Sequence, residues 1–402
     1  MLVSEGEFHN MSFRKKLGYA RKVLPGMVWQ GLHPVPRGPV HLILGLADHF
    51  EPGIDPTDGQ KRAPRVEQEQ RVESWCREYP RMAERYRDHE GRPFVHTYFY
   101  PAEQYDEGLI EHLAELCHNG WGELEVHLHH GFSRPDTAEN TRRLLTEFRD
   151  RLAYRHHCLA VEEGSDQPRY AFVHGDFALA NCAGGRFCGV DSEMKILAET
   201  GCYADFTFPA AALHPAQIAR INSLYECTLP LDQRAPQRRG KDLQVGRKPH
   251  IFPLIVEGPL IFDFKRSFRS GRPALESAAI TRGRGMTLDR LSAWKQARVH
   301  VQGRPDWLFI KLHCHGMDPT QKEEVLGAPM RKFLQELVEG ARERNETLHF
   351  VTAREMTNII LAACDGKEGN PGDYRDYRFT RFMERPLAAA TERVAVDATR
   401  SM

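Results

Sequence analysis

Short apolar runs alternate with longer amphipathic segments along most of the chain, and this alternation limits the possible folds more than any other feature. Eight runs have the length and content of buried strands, at residues 41–47, 93–100, 124–129, 170–174, 202–208, 251–257, 307–313 and 348–351. Such alternation favours a parallel sheet covered by helices. The sequence therefore predicts the α/β class, with seven or eight parallel strands in a distorted (β/α) barrel that carries long loop insertions.

Helix signals lie between the predicted strands. Asp106 is a predicted N-cap, and residues 136–139 and 352–355 have the pattern of capping boxes that open two further helices. Residues 65–89 are highly charged with sparse apolar positions, so we predict a surface helix there.

The domain organisation follows from the same patterns. Residues 1–39 are predicted to be an N-terminal extension, residues 40–366 the barrel, and residues 367–402 a C-terminal tail. Two stretches, 229–250 and 263–288, are rich in Arg, Gly and Pro and lack periodicity, so we predict them to be loop insertions.

Charge and composition exclude several classes of partner. Lys+Arg and Asp+Glu both total 55, so no field of one sign attracts nucleic acid or an anionic membrane. No apolar run approaches the roughly 20 residues that span a bilayer, and the N-terminus lacks a secretory signal. We expect no nucleic acid, no membrane span and a cytoplasmic location.

Cysteine usage agrees with a reducing compartment. The nine cysteines are scattered and include no CxxC pair. Cys182 and Cys188, six positions apart in a Gly-rich turn, are half of a conceivable metal site, but no partner pair follows them. Buried thiols are the favoured interpretation.

Histidines and carboxylates cluster where four of the predicted strands end, at residues 48–51, 127–130, 174–176 and 313–315. The carboxyl ends of parallel strands meet at one edge of a sheet, where α/β proteins place their chemistry. We therefore expect these side chains to meet at that edge.

Imidazole and carboxylate ligands suit a borderline cation, and a catalytic zinc site has three protein ligands and one open position. The two-residue period of a strand puts His127 and His129 on one face, and His130 at the turn can swing inward, so two or three of them reach one ion. With His49, they are the predicted ligands of a divalent metal, with zinc favoured.

Roles in catalysis follow from position. Asp48 is a predicted base and His313 a predicted acid, although Asp48 is equally suited to bind the metal or to cap the following loop. His174, Asp205 and His315 are predicted to contact the substrate. Asp205 has an equal alternative as a turn residue that accepts backbone amides.

These motifs, in this order, resemble the polysaccharide deacetylases of the NodB-homology type, carbohydrate esterase family 4, within the glycoside hydrolase/deacetylase β/α-barrel superfamily. The chain is most similar to a bacterial branch of that superfamily. The resemblance is carried by residues 46–52, 126–130, 172–175, 199–206 and 310–316, and it covers about residues 40–365.

The resemblance implies a NodB-like barrel and assigns roles to residues. Asp48 corresponds to the base, His127 with His129 or His130 to the paired metal ligands, and His313 to the acid. His49 stands where the family has a second aspartate, and His127 and His130 are one residue closer together than the family's pair.

The leading hypothesis is a metal-dependent hydrolase that removes an acyl group from an N-acylated amino sugar or related amide in polysaccharide or glycoconjugate metabolism. Its partner is then a carbohydrate or sugar-conjugate substrate. Loop arginines could clamp a phosphate or carboxylate of that substrate, although a solvated loop is slightly favoured. These arginines are Arg234, Arg238, Arg239, Arg247, Arg266 and Arg269.

Two alternatives stay open. A glycoside hydrolase needs a pair of carboxylates, which Asp48 or Glu51 with Asp205 or Glu257 could supply. A non-catalytic carbohydrate-binding protein with a degenerate barrel is supported by the missing second aspartate at position 49.

Overall fold

A large, mostly parallel sheet forms the centre of the protein. The computed structural model describes residues 13–57, 61–212 and 214–382, with side chains from residue 21 onward. The strands are β1 (Val40–His49), β2 (His96–Pro101), β3 (Gly122–Leu128), β4 (Ala160–Glu162), β5 (Pro168–His174), β6 (Cys202–Asp205), β7 (Leu224–Cys227), β8 (Gly240–Asp242), β9 (Leu254–Val256), β10 (Leu260–Phe262), β11 (Leu275–Ser277), β12 (Trp307–Cys314), β13 (Glu346–Phe350) and β14 (Phe379–Arg381).

Helices connect and cover these strands. The α-helices are α1 (Phe13–Gly31), α2 (Arg65–Ala83), α3 (Glu107–His118), α4 (Ala138–Asp150), α5 (Glu193–Glu199), α6 (Phe264–Ser270), α7 (Leu288–Gln296), α8 (Lys322–Leu326), α9 (Ala328–Gly340) and α10 (Ala353–Cys364). Within the described ranges, no helix combines the length and the apolar character that crossing a membrane requires.

All eight predicted strands are present, and they pair in parallel with one another. The sheet order is β12-β1-β2-β3-β5-β6-β9-β7-β8, and β13 also pairs with β1. The α/β class is therefore confirmed. The predicted distorted (β/α) barrel is not confirmed, because β12 bridges to an irregular segment at Ala279 and the sheet is not closed.

Two predicted helix starts are confirmed. Asp106 caps α3 by accepting a hydrogen bond from the amide of Leu109. Thr352 and Glu355 form a capping box at the start of α10, which satisfies two amides that a helix start leaves without intrahelical partners.

The start of α4 differs from the predicted capping box by one residue. Thr137 is the N-cap, and its hydroxyl accepts the amide of Asn140. Asp136 Oδ2 lies 2.9 Å from His130 Nδ1 instead. A contact with a residue six positions earlier, outside the helix, has taken one oxygen of the side chain that the local pattern assigned to the cap.

Several segments are more ordered than the sequence indicated. Helix α2 is not a simple surface helix, because it buries Trp75 and Tyr79 in the core. The predicted loop insertions contain β8, α6 and β11, which are too short to show a period. The predicted C-terminal tail contributes β14, and residues 383–402 lie outside the described part of the chain.

The two faces of the sheet contribute to different apolar cores. Leu42, Leu44 and Leu46 of β1 belong to a core that includes α2, α3 and α4, which defines the outer face. Ile43 and Ala47 belong to a second core that includes α10, which defines the inner face. This is the two-residue alternation of a strand, and it holds for every long strand at the site.

Helix α10 is buried along its whole length. It begins at a fork on one edge of β1. There β13 pairs with β1 up to Leu44, and β2 pairs with β1 from Leu46 onward. At Gly45, between these points, a Cβ atom would lie 2.9 Å from Met356 Cε. The helix therefore packs closely against β1 at this fork.

Arg354 carries a buried charge at the start of α10. Its guanidinium lies 2.7 Å from Glu123 Oε1 on β3 and also donates to Asp376 and to the carbonyl of Phe379. Burial opposes ionisation of Glu123, but the charge of Arg354, followed by that of Arg381, outweighs it and lowers the pKa of Glu123 to about 2. This network ties α10 and β14 to the sheet.

We expect Arg354→Met to reduce the free energy of unfolding by about 3–5 kcal/mol, because it leaves the Glu123 carboxylate buried without its main counter-charge. Urea denaturation measures the change. The control is Arg143→Met, which removes an exposed ion pair with Glu147 and should cost less than about 1 kcal/mol. Equal losses in the two variants would contradict a structural role for the Arg354 network.

Candidate metal centre

Histidines line the inner face of the sheet at the carboxyl ends of the parallel strands. His49 ends β1, His127 lies near the end of β3, and His313 lies near the end of β12. Side chains alternate along a strand, so residues 51, 129 and 315, each two positions further on, are expected on the same inner face.

Five side chains meet at this edge and form the rim cluster, which comprises His49, Glu51, His127, His129 and His315. Glu51 Oε1 lies 3.4 Å from His127 Nε2. It is also 3.8 Å from His129 Nε2 and 3.9 Å from His315 Nε2. Donor atoms of His49, Glu51 and His127 all lie within 4.8 Å of one another. The ligands of a tetrahedral zinc ion with bonds near 2.0–2.1 Å are about 3.4 Å apart, so this spacing suits a metal.

Hydrogen bonds behind two of the imidazoles direct their lone pairs toward Glu51. His127 Nδ1 donates to the carbonyl of Val173 at 2.7 Å, and His129 Nδ1 donates to Glu103 Oε1 at 2.9 Å. A neutral ring with its proton on Nδ1 presents an unprotonated Nε2. Glu51 Oε1 and His127 Nε2 are buried and make no hydrogen bond to the described residues.

Burial favours the neutral form of these histidines. It lowers the pKa of His127, and the neighbouring His129 adds to the effect. Burial and the charge of His315 hold the pKa of His49 well below its usual range. Burial also lowers the pKa of His315. Neutral imidazole is the form that binds metal.

The rim cluster therefore fits a divalent cation. Its donor atoms are imidazole nitrogens and a carboxylate oxygen, the ligands that zinc accepts. The carbonyl and carboxylate behind His127 and His129 supply the outer hydrogen bonds that metal-binding histidines usually make. Buried groups of this composition could hold a metal ion.

His130 and His174 point elsewhere, although they had been predicted as a metal ligand beside His127 and as a substrate contact. They share the outer face with Leu128 and Phe172, and their Nε2 atoms lie 3.0 Å apart. With two further side chains they form a second group, the cysteine cluster, which comprises His130, His174, Cys188 and Glu193.

Asp48 is also on the outer face, so its placement does not support the predicted role as base. Its Oδ1 accepts the amide of Gly316 at 2.6 Å, and its Oδ2 lies 3.0 Å from His96 Nδ1. The carboxylate is fully buried with both oxygens engaged. It holds the turn that follows His315.

The two remaining predicted residues are His313, on the inner face, and Asp205, which is in register with Phe172 and Ile255 of the outer face. The His313 ring centroid is 5.7 Å from that of His49. Burial, and then the charge of Lys311, holds the pKa of His313 well below its usual range, so the ring must gain a proton before it can act as an acid. Asp205 matches its turn alternative, since its oxygens accept the amide and hydroxyl of Thr207.

Sequence reasoning missed three carboxylates and favoured a plain buried thiol for Cys188. Glu51 was considered only for a glycoside hydrolase, although its position two residues after His49 marks it for the same face. Glu103 follows β2 and Glu193 begins α5, and no local pattern links either to a histidine. Of the two cysteines considered as half of a metal site, only Cys188 joins a cluster.

Most of the loop arginines proposed as an anion clamp are engaged within the protein. Five of them donate to carbonyl or carboxylate oxygens of the chain, namely Arg234, Arg238, Arg247, Arg266 and Arg269. Their contacts fasten the loops and do not converge on a common anion site.

Phe177 forms one wall of the rim cluster. Its ring centroid lies 6.4 Å from that of His49, 5.9 Å from that of His313 and 5.4 Å from that of His214. Burial lowers the pKa of His214 to about 4. In the neutral ring, His214 Nδ1 accepts the amide of Ala216 at 3.2 Å, so protonation would break this contact.

Comparison of the chain with protein-family models, curated proteins and solved structures gave no match. The chemistry of the site therefore rests on its own geometry, and the resemblance to NodB-type deacetylases rests on the motifs alone.

We expect Glu103→Gln to weaken zinc binding by about 10- to 100-fold, because it removes the charge that orients His129 and raises its basicity. Burial opposes ionisation of Glu103, but His129 lowers its pKa to about 2, so the carboxylate is charged throughout the neutral range. Competition with a fluorescent chelator measures the affinity. Glu107→Gln, an exposed change, is the control, and equal affinities would exclude an orienting role for Glu103.

We expect His214→Asn to reduce the loss of unfolding free energy that occurs when the pH is lowered. The pKa of His214 is about 6.5 in the unfolded chain and about 4 when folded. Its contribution to stability is therefore complete above pH 6.5 and is lost as the pH falls toward 4, by about 3 kcal/mol. Asn keeps an acceptor for Ala216 but cannot be protonated. Parallel losses of unfolding free energy in both proteins between pH 6.5 and 4 would refute this assignment.

Proposed function

We propose that the protein is a metal-dependent hydrolase that removes an acyl group from an N-acylated amino sugar or a related amide. The observation that carries the proposal is the convergence of three histidine Nε2 atoms on the buried Glu51 Oε1 at the carboxyl edge of a parallel sheet. The substrate class is supported by the resemblance of the motifs to NodB-type deacetylases.

We also propose that the open sheet is a distorted (β/α) barrel with one seam that lacks strand pairing. Two contacts across this seam support the idea. Ala279 forms a parallel bridge with His313 on β12. Gly258 lies so close to β12 that a Cβ atom there would be 2.3 Å from the carbonyl oxygen of Lys311.

The cation, zinc by its ligand set, would polarise the substrate carbonyl and lower the pKa of water. His49, Glu51 and His127 would supply three ligands, which leaves a position open. His129 and His315 flank this set, and each brings Nε2 within 4 Å of Glu51 Oε1. Phe177 would shield one side of the site from bulk water.

His313 is the residue that we assign to proton transfer. It lies beside His49 but outside the ligand set, and its Nδ1 is buried without a hydrogen-bond partner among the described residues. A neutral imidazole accepts a proton and can then donate it to a leaving amine. Asp48 contributes by holding the amide of Gly316, and hence the turn that carries His315.

The first test measures metal content and acetate release from N-acetylglucosamine oligosaccharides. We expect His127→Ala to lose the rim metal and with it the activity. His313→Ala should keep the metal and lose about 10²- to 10⁴-fold in kcat/KM, as is typical when a general acid–base group is removed. The control is His156→Ala, which removes a buried histidine that contacts Tyr105 instead and should keep both properties.

Three results would contradict the proposal. A folded wild-type protein that takes up no metal at the rim cluster would exclude metal-dependent hydrolysis. Cleavage of glycosidic bonds, with the acyl groups left in place, would favour the glycoside hydrolase. Sugar binding without turnover by the metal-loaded protein would favour the non-catalytic carbohydrate-binding protein.

A further inference from the structure

We propose that the cysteine cluster binds a second metal ion, a zinc ion with four protein ligands that stabilises the loop beside the rim cluster. The two clusters share no residue, so this inference does not depend on the hydrolase proposal. It also concerns the outer face of the sheet, whereas the rim cluster is on the inner face.

The donor atoms of this cluster already converge. His130 Nε2 and His174 Nε2 are 3.0 Å apart. Glu193 Oε1 lies 2.8 Å from the first nitrogen and 3.3 Å from the second. A donor atom from each of the four side chains, including Cys188, falls within 4.8 Å of the others. Zinc bonds of 2.0–2.3 Å separate tetrahedral ligands by about 3.3–3.8 Å, so a small outward shift accommodates the ion.

Outer hydrogen bonds fix both imidazoles in the metal-binding tautomer. His130 Nδ1 lies 2.9 Å from Asp136 Oδ2, and His174 Nδ1 lies 2.5 Å from the carbonyl oxygen of Gly175. Both of these oxygens are acceptors, so each ring carries a proton on Nδ1. The two Nε2 atoms face Glu193 Oε1 at 2.8 and 3.3 Å, so the metal-free cluster shares a proton between them and the carboxylate, and a cation would bind in its place.

The other two ligands are held in the same way. The amide of Val190 donates to Cys188 Sγ at 3.4 Å, and the amide of Ala180 donates to Glu193 Oε2 at 2.6 Å. The second bond leaves Glu193 Oε1 directed at the histidines. All four side chains of the cluster are buried. A closed set of four ligands that includes sulfur is typical of structural zinc, because it leaves no position for substrate.

The ion would join four separate segments. His130 follows β3, His174 ends β5, Cys188 lies in the loop that follows β5, and Glu193 begins α5. That loop has little regular structure, and many of its residues have left-handed backbone conformations: Asp176, Phe177, Ala180, Asn181 and Phe187. A metal cross-link would hold this irregular loop in one conformation.

The same loop shapes the rim cluster. Phe177 is part of it, and Gly175 packs so closely on the His129 ring that a Cβ atom there would lie 2.2 Å from Cδ2. His129 and His130 are consecutive in sequence, but their side chains lie on opposite faces of the sheet. The second ion therefore positions one wall and one flanking histidine of the rim cluster without contacting substrate.

The decisive experiment uses Cys188→Ser with Cys182→Ser as its matched control. Cys182 is a buried thiol in the same loop, but its Sγ contacts the carbonyls of Phe177 and Ala216. After replacement of bound metal by Co²⁺, we expect the wild type and Cys182→Ser to show a thiolate-to-cobalt charge-transfer band. Cys188→Ser should lack the band and bind one metal equivalent fewer.

His127→Ala separates this inference from the proposed function. It should lose the rim metal but keep one equivalent with a sulfur ligand near 2.3 Å in X-ray absorption. This measurement also decides the question if Cys188→Ser does not fold. The inference is overturned if the folded wild type and His127→Ala both lack a sulfur ligand, or if the cobalt band persists in Cys188→Ser.

Discussion

The alternation of side chains along parallel strands is the constraint on which both clusters depend. Strand β1 is hydrogen-bonded to β12 on one edge and to β2 and β13 on the other, so it cannot rotate. With its faces fixed, His49 must face inward and Asp48 outward. The same rule separates the consecutive residues His129 and His130 into two different groups of ligands.

Much of the fold was predictable because apolar runs and capping residues are local signals. The eight parallel strands and the α/β class followed from them, as did the edge at which the histidines gather. The absence of barrel closure did not, because it depends on how Ala279 and its neighbours meet β12. The start of α4 was displaced because Asp136 contacts His130, a residue outside the helix that the local capping pattern does not include.

The candidate site was predictable only in part. Strand period places His127 and His129 together, but which residues face outward depends on the helices that cover the sheet. His130 and His174 were therefore grouped with residues that lie on the other face. Glu103 and Glu193 come from segments remote in sequence, so only the three-dimensional structure brings them to histidines. The density of histidines along the chain marks the region, whereas the acceptors that fix His127 and His129 come from residues remote in sequence.

The complete burial of helix α10 limits the substitutions that the chain tolerates there. All twelve of its residues are buried, and they include the charged Arg354 and Glu355. Most helices of a protein of this kind have a solvent-facing side on which substitution is nearly neutral. Here every replacement meets packed atoms. The lowest tolerance to mutation is therefore expected in a helix that supplies no residue to either cluster, and sequence variation in related chains should be narrow there.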